Sequence, residues 1–184
     1  MKKKANRLMN LVPLMLLWLV LSVIGWGFVF TRITTYAPEE KIALYVDGEV
    51  PLGKELAAYL YEEKQEGIKT VEVRPFTYAM FGGDELRNAD LFIIPEESVD
   101  TYLECFAPWP EGLATEGMFY ARDGVNLGLQ VYDTEGKVGV ADGFIAYENT
   151  LYLPQNYYLF FGNQSAHLED GLAVKYAQRL LNAE

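Results

Sequence analysis

The chain has 184 residues, a net charge of −11, fifteen basic and twenty-six acidic side chains, one cysteine and one histidine. A lone Cys105 excludes an intramolecular disulfide framework, and one histidine beside one cysteine does not make a structural zinc set. The acidic balance repels phosphate backbones and anionic headgroups, which argues against nucleic acid as a partner.

The charge is divided unevenly along the chain. Lys2, Lys3, Lys4, Arg7 and Arg32 flank one apolar run, and no Asp or Glu precedes Glu39. The remainder holds ten basic and twenty-six acidic residues, a net of −16. Such a surface keeps a domain soluble, and a cationic ligand is the sharper alternative. Leu11 to Phe30 is free of charge and is long enough to cross a hydrocarbon core of roughly 30 Å. Trp26, Phe28 and Phe30 suit its outer interface, and Pro13 is expected in its first turn. The basic cluster before it places the N-terminus in the cytoplasm.

The predicted organisation is a cytoplasmic tail over 1–10, a transmembrane anchor over 11–31, a linker over 32–40 and an extracytoplasmic domain over 41–184. Thr35-Tyr36-Ala37 loosely resembles a signal-peptidase site. The apolar run is longer than a signal peptide uses, and Pro38 would directly follow the cut, so the segment reads as an uncleaved anchor. No cysteine lies near it to carry a lipid.

In the domain, Ile42–Val46 reads as a buried strand and Pro51 as the opening of a helix with Leu52, Leu56, Tyr59 and Leu60 on one face, stopped at Gly67. Val71, Val73 and Phe76 mark a second strand, Asp84–Ala89 a weaker helix and Leu91–Ile94 a third strand. Ser98 is placed to cap a helix carrying Val99, Tyr102, Leu103 and Phe106. That alternation predicts an α/β fold with a mainly parallel sheet and helices on both faces. After Pro108 and Pro110, strands are predicted at Val125–Tyr132, within Val138–Tyr147 and at Tyr157–Phe161, then a closing helix from Leu168 to Leu181.

No motif carries convincing chemistry, so no catalytic residue, metal or cofactor is assigned. Gly48 to Lys54 has phosphate-loop spacing, but Glu55 stands where Ser or Thr would hold magnesium, Pro51 removes an N–H, and Glu49 adds a negative charge. Ser165-Ala166-His167 invites a nucleophile–base reading, yet residues so close in a turn rarely reach productive geometry, and a helix cap explains them better. The pairs Asp47/Glu49 and Glu96/Glu97 could act as acid and base or hold calcium, though neither has EF-hand spacing. Tyr78, Phe81, Trp109, Tyr120, Tyr152, Tyr157 and Tyr158 fall in loops and strand ends, where rings suit sugars or apolar peptides.

Ala89-Asp90-Leu91-Phe92-Ile93-Ile94-Pro95 followed by Ser98 resembles the third strand of extracellular solute-binding proteins of the periplasmic type II kind. Asn126–Asp133 is similar to a further strand of that family, Tyr157–His167 to its returning strand and turn, and Leu172–Leu181 to its closing helix. The resemblance covers about residues 41–107 and 125–184. It implies a single lobe without its partner, since only a short segment separates Asp133 from Tyr157, where the family inserts a second lobe. It thus implies a non-catalytic receptor or accessory protein that takes a small solute or a membrane-protein partner. Ligands of open α/β sheets bind at the C-terminal strand ends, and the candidates there are Asp47, Glu49, Tyr78, Phe81, Glu96 and Ser98. The alternatives are a structural interaction domain and an extracytoplasmic hydrolase using strand-end carboxylates.

Overall fold

The structure, a computed structural model, describes residues 2–34, 36–63, 65–76, 84–113, 117–135, 138–147 and 155–183. The chain forms two compact units, 1–37 and 38–184. The first contains helix α1, Lys2–Thr34. Its stretch Val12–Val29 is long and apolar enough to cross a membrane, and every side chain in it is exposed. Pro13 lies inside α1 rather than in its first turn, because the helix already begins at the basic residues. The ring therefore removes one backbone hydrogen bond from the helix interior.

The second unit is built on one seven-stranded sheet. Strands β1 (Lys41–Val46), β2 (Thr70–Pro75) and β3 (Leu91–Pro95) precede β4 (Phe119–Arg122), β5 (Val125–Asp133), β6 (Val138–Gly139) and β7 (Tyr157–Phe161). Helices α2 (Gly53–Tyr61), α3 (Asp84–Arg87), α4 (Val99–Tyr102) and α5 (Leu172–Leu181) complete it. The spatial order is β2-β1-β3-β7-β5-β4, with β6 pairing beside β5.

The expectation of a mainly parallel sheet is corrected. Only β2-β1-β3 is parallel, while β7 runs antiparallel to both β3 and β5, and β4 and β6 run antiparallel to β5. The continuous apolar run Tyr157–Phe161 carries no direction. A strand covered on both faces reads the same whether its neighbours are parallel or antiparallel.

Helices do cover both faces, and the two-residue period of each strand sorts its side chains between them. Ile42, Leu44, Val46, Leu91, Ile93, Leu159 and Phe161 face one core, against Leu56 and Leu60 of α2 and Tyr176, Ala177 and Leu180 of α5. Ala43, Tyr45, Phe92, Ile94, Tyr158 and Phe160 face the other, against Leu86 of α3 and Val99 and Tyr102 of α4. Each fully buried large side chain contributes roughly 1.5–3 kcal/mol of transfer free energy. In the second core Phe106 stacks on Phe160 at 4.1 Å between centroids. The Phe160 ring also lies over Gly128, its cross-strand partner, where a Cβ would come within 2.5 Å of the ring.

Several boundaries differ from the sequence expectation. α2 starts at Gly53 and stops at Tyr61, short of Gly67, and α5 starts at Leu172 rather than Leu168. The stretch from Val138 to Tyr147 gives one two-residue strand and isolated bridges, not one or two full strands. β4 was not expected. Its turn into β5 is Asp123-Gly124, with φ of 53° and 80°. Two consecutive positive φ values define the tight hairpin turn that an Asp-Gly pair favours.

Candidate functional site

Because β1 and β3 are parallel and β7 is antiparallel to β3, one end of the sheet gathers the C-terminal ends of β1 and β3 with the start of β7. β5 runs antiparallel to β7 and ends there too, with Tyr132 opposite Tyr157. This end carries Asp47, Gly48 and Glu49 after β1, Glu96, Glu97 and Ser98 after β3, and Gln155 to Tyr157 at the start of β7.

The Asp47 amide donates to the Ile93 carbonyl at 2.8 Å, which turns the loop after β1 over the end of β3. The Asp47 carboxylate is hydrogen-bonded to the Ser98 side chain. Burial holds the Asp47 carboxyl above its ordinary range, the Ser98 hydroxyl opposes the rise, and the charge of Glu97 adds to it. Ser98 does not cap α4: it ends a 3-10 turn over Glu96–Ser98, its own backbone is already helical (φ −88°, ψ −15°), and no side-chain cap bond forms there.

Tyr157 closes the cluster from β7. Its hydroxyl lies 3.9 Å from where a Cβ on Gly48 would sit. Burial first, then the charges of Asp47 and Glu97 and the Tyr132 phenol, push its hydroxyl up to about 12. Tyr132 and Tyr147 stack face to face at 4.8 Å, and each meets Tyr157 edge-on, at 6.2 and 5.2 Å. Gln155 donates from Nε2 to Glu97 Oε1 at 2.6 Å, while its own Oε1 is buried and unpartnered among the described residues.

Of the six sequence candidates, Asp47 and Ser98 are in direct contact. Glu96 lies one strand position along, its amide donating to the Asn156 carbonyl at 3.0 Å and its carboxylate 3.5 Å from Asn156 Nδ2. Glu49 is exposed and bridges backbone-to-backbone with Ala146, whose amide donates to the Glu49 carbonyl at 3.0 Å. Tyr78 and Phe81 lie outside the described residues. Reasoning from sequence missed Tyr157 and Gln155 as members of this cluster. The signal was the returning strand itself, whose first residues must reach the end of β3 once it pairs antiparallel.

The loop with phosphate-loop spacing is occupied by its own backbone contacts. The Gly53 amide donates to the Val50 carbonyl, and Glu49 is held by Ala146. The Ser165–His167 pair lies at the opposite end of the sheet. The Ser165 hydroxyl donates to Asp90 Oδ1 at 2.5 Å, and the His167 ring meets Asp170 and the Pro38 carbonyl, not Ser165. Among the described residues no group of three or more His, Cys, Asp or Glu is disposed to hold a metal. A cavity of about 350 Å³ opens beside the strand end, lined by Gly117, Met118, Gln130, Tyr132, Asp133 and Val140 among others.

No family model matches the chain, and no curated protein matches it. Among solved structures, thiaminase I from Bacillus thiaminolyticus is similar over 50% of this chain and 28% of its own, with 11% identity and a TM-score of 0.35. The chain thus matches well under a third of that enzyme, and a likeness of this degree says nothing about activity.

Proposed function

We propose that this protein is a membrane-anchored, extracytoplasmic and non-catalytic binding domain, built like one lobe of a solute-binding protein. Its acidic strand end takes a cationic group presented by a small ligand or a protein partner. The observation that carries the reading is the convergence of Asp47, Glu97, Ser98 and Tyr157 at the ends of β1, β3 and β7. Carboxylates supply charge, while the serine and tyrosine hydroxyls supply direction.

Three features support it. The segments that the resemblance assigns to third strand, returning strand and closing helix are β3, β7 and α5. The chain between β5 and β7 is too short for a second lobe, so a ligand would meet an open face, with the modest affinity that incomplete burial gives. The one histidine is bonded at the far end of the sheet and cannot serve the carboxylates as a base. α1 is long enough to cross a membrane, and the lysines before it favour a cytoplasmic N-terminus.

One observation favours a second reading, a docking domain for another membrane protein. Met118 is 70% exposed at the cavity beside β5, and an apolar side chain in that setting suits a protein interface.

Thermal unfolding of the unit from Pro38 to Glu184, screened against amines, amino acids, basic peptides, sugars and divalent cations, separates the two. A ligand that binds only the native state raises the midpoint in proportion to its occupancy. A saturable rise with cationic compounds supports the first reading. A stable domain that responds to none moves the assignment to docking.

A further inference from the structure

His167 is 2% exposed, and both of its ring nitrogens face acceptors. Nδ1 lies 3.1 Å from Asp170 Oδ2, and Nε2 lies 3.1 Å from the carbonyl oxygen of Pro38. Pro38 is the first residue of the domain unit and opens a short 3-10 turn ending at Glu40. A neutral imidazole carries one N–H and can satisfy only one of two acceptors, whereas the doubly protonated ring donates to both.

We propose that His167 is a pH-dependent strap on the first turn of the domain, holding Pro38 when doubly protonated and releasing it when the ring loses a proton.

The choice of which bond survives follows from acceptor strength. A carboxylate accepts more strongly than a neutral carbonyl, so the remaining proton stays on Nδ1 toward Asp170. The Nε2 lone pair is then turned on the Pro38 carbonyl, and two acceptors face one another. Asp170 faces it from the loop before α5, Lys175 of α5 acts on Asp170, and Asp90 at the start of β3 acts across Ser165. Ser165 itself accepts the His167 backbone amide at 3.0 Å. Asp170 is poised for the role: burial would raise its carboxyl, but the Leu172 amide and the His167 ring together hold it below its ordinary range. Release is limited to the first two residues of the domain. Glu40 is held separately, its carbonyl accepting the Lys69 amide at 2.7 Å and its carboxylate paired with Lys69 Nζ at 2.6 Å.

The chain has one histidine, so the full-length protein in detergent micelles gives a single imidazole signal. The ring ¹⁵N shifts and the Glu39 amide, which shares a peptide group with the Pro38 carbonyl, are followed across a pH series. Both ring nitrogens are expected protonated at the acid end, with the proton retained on Nδ1 at the alkaline end. The Glu39 amide is expected to shift with the same midpoint as the ring, and to lose that dependence in His167→Gln. A Glu39 amide that stays still while the ring titrates overturns the proposal, as does a neutral ring protonated on Nε2. Both tests can be read on the unsubstituted protein should the variant fold poorly.

Discussion

The Ser98 side chain is hydrogen-bonded to the Asp47 carboxylate, tying the residue after β1 to the first turn after β3. Ser98 ends a 3-10 turn that runs directly into α4, with its own backbone helical, so its hydroxyl is free of a capping role.

That pair sets a pH dependence. Burial first, with Ser98 opposing and Glu97 adding, places the folded Asp47 carboxyl above its ordinary value. A carboxyl raised in this way contributes stability that is fully present below the unfolded value and is lost as pH rises through the folded one. Asp47→Asn removes the titration. Its melting midpoint is expected to equal or trail the parent near pH 3 and to exceed it at pH 7, measured by circular dichroism. Ser98→Ala removes the bond that favours the charged form, and at pH 7 is expected to cost about 1 kcal/mol.

The Tyr157 hydroxyl is held up to about 12 by burial, then by Asp47 and Glu97. Negative neighbours oppose ionisation of a phenol. The double variant Asp47→Asn/Glu97→Gln should therefore ionise this tyrosine at lower pH. An ultraviolet absorbance titration, with Tyr157→Phe as the subtraction control, reads the change directly. An unmoved midpoint would place Tyr157 away from both carboxylates.

Gly162 follows β7, where the Asp90 carbonyl accepts its amide at 3.0 Å. A Cβ there would overlap the Ala89 carbonyl oxygen, which is backbone and cannot swing aside. Gly162→Ala is expected to destabilise by about 3 kcal/mol, the upper part of the overpacking range, in urea denaturation. Gly67→Ala provides a contrast: its space is open and only its φ of 91° opposes a side chain, so it should cost less, about 1 kcal/mol.

Asp90 is 2% exposed. Its Oδ2 accepts the Ala43 amide at 2.8 Å and its Oδ1 the Ser165 hydroxyl at 2.5 Å. Asp90→Ala leaves a buried strand amide without its partner and should cost about 2–3 kcal/mol. Asp90→Asn keeps an acceptor for Ala43 and offers a donor to Ser165, so it should cost clearly less in the same denaturation experiment.

Much of this fold was legible in the sequence because its signals are local. The runs Ile42–Val46, Leu91–Ile94 and Tyr157–Phe161 have the length and continuity of strands buried on both faces, and each is one. Strand direction was not legible, since direction depends on which neighbour a strand joins and not on its own residues. Asp123-Gly124 was a readable hairpin turn, but the exposed strand before it lacks a strong alternation of burial. The contact between Asp47 and Ser98 followed from the rule that parallel strand ends converge. The part played by Tyr157 did not, because it depends on β7 entering antiparallel between β3 and β5.

The central claim is that the strand-end carboxylates recognise a cationic group, and comparing ligand-induced thermal shifts of the parent domain and Asp47→Asn/Glu97→Gln tests it most directly. A saturable rise with a cationic ligand is expected in the parent, weakened by added salt and abolished in the double variant with the fold intact. A rise that persists undiminished in the variant, or no rise with any cationic compound in the parent, would contradict it.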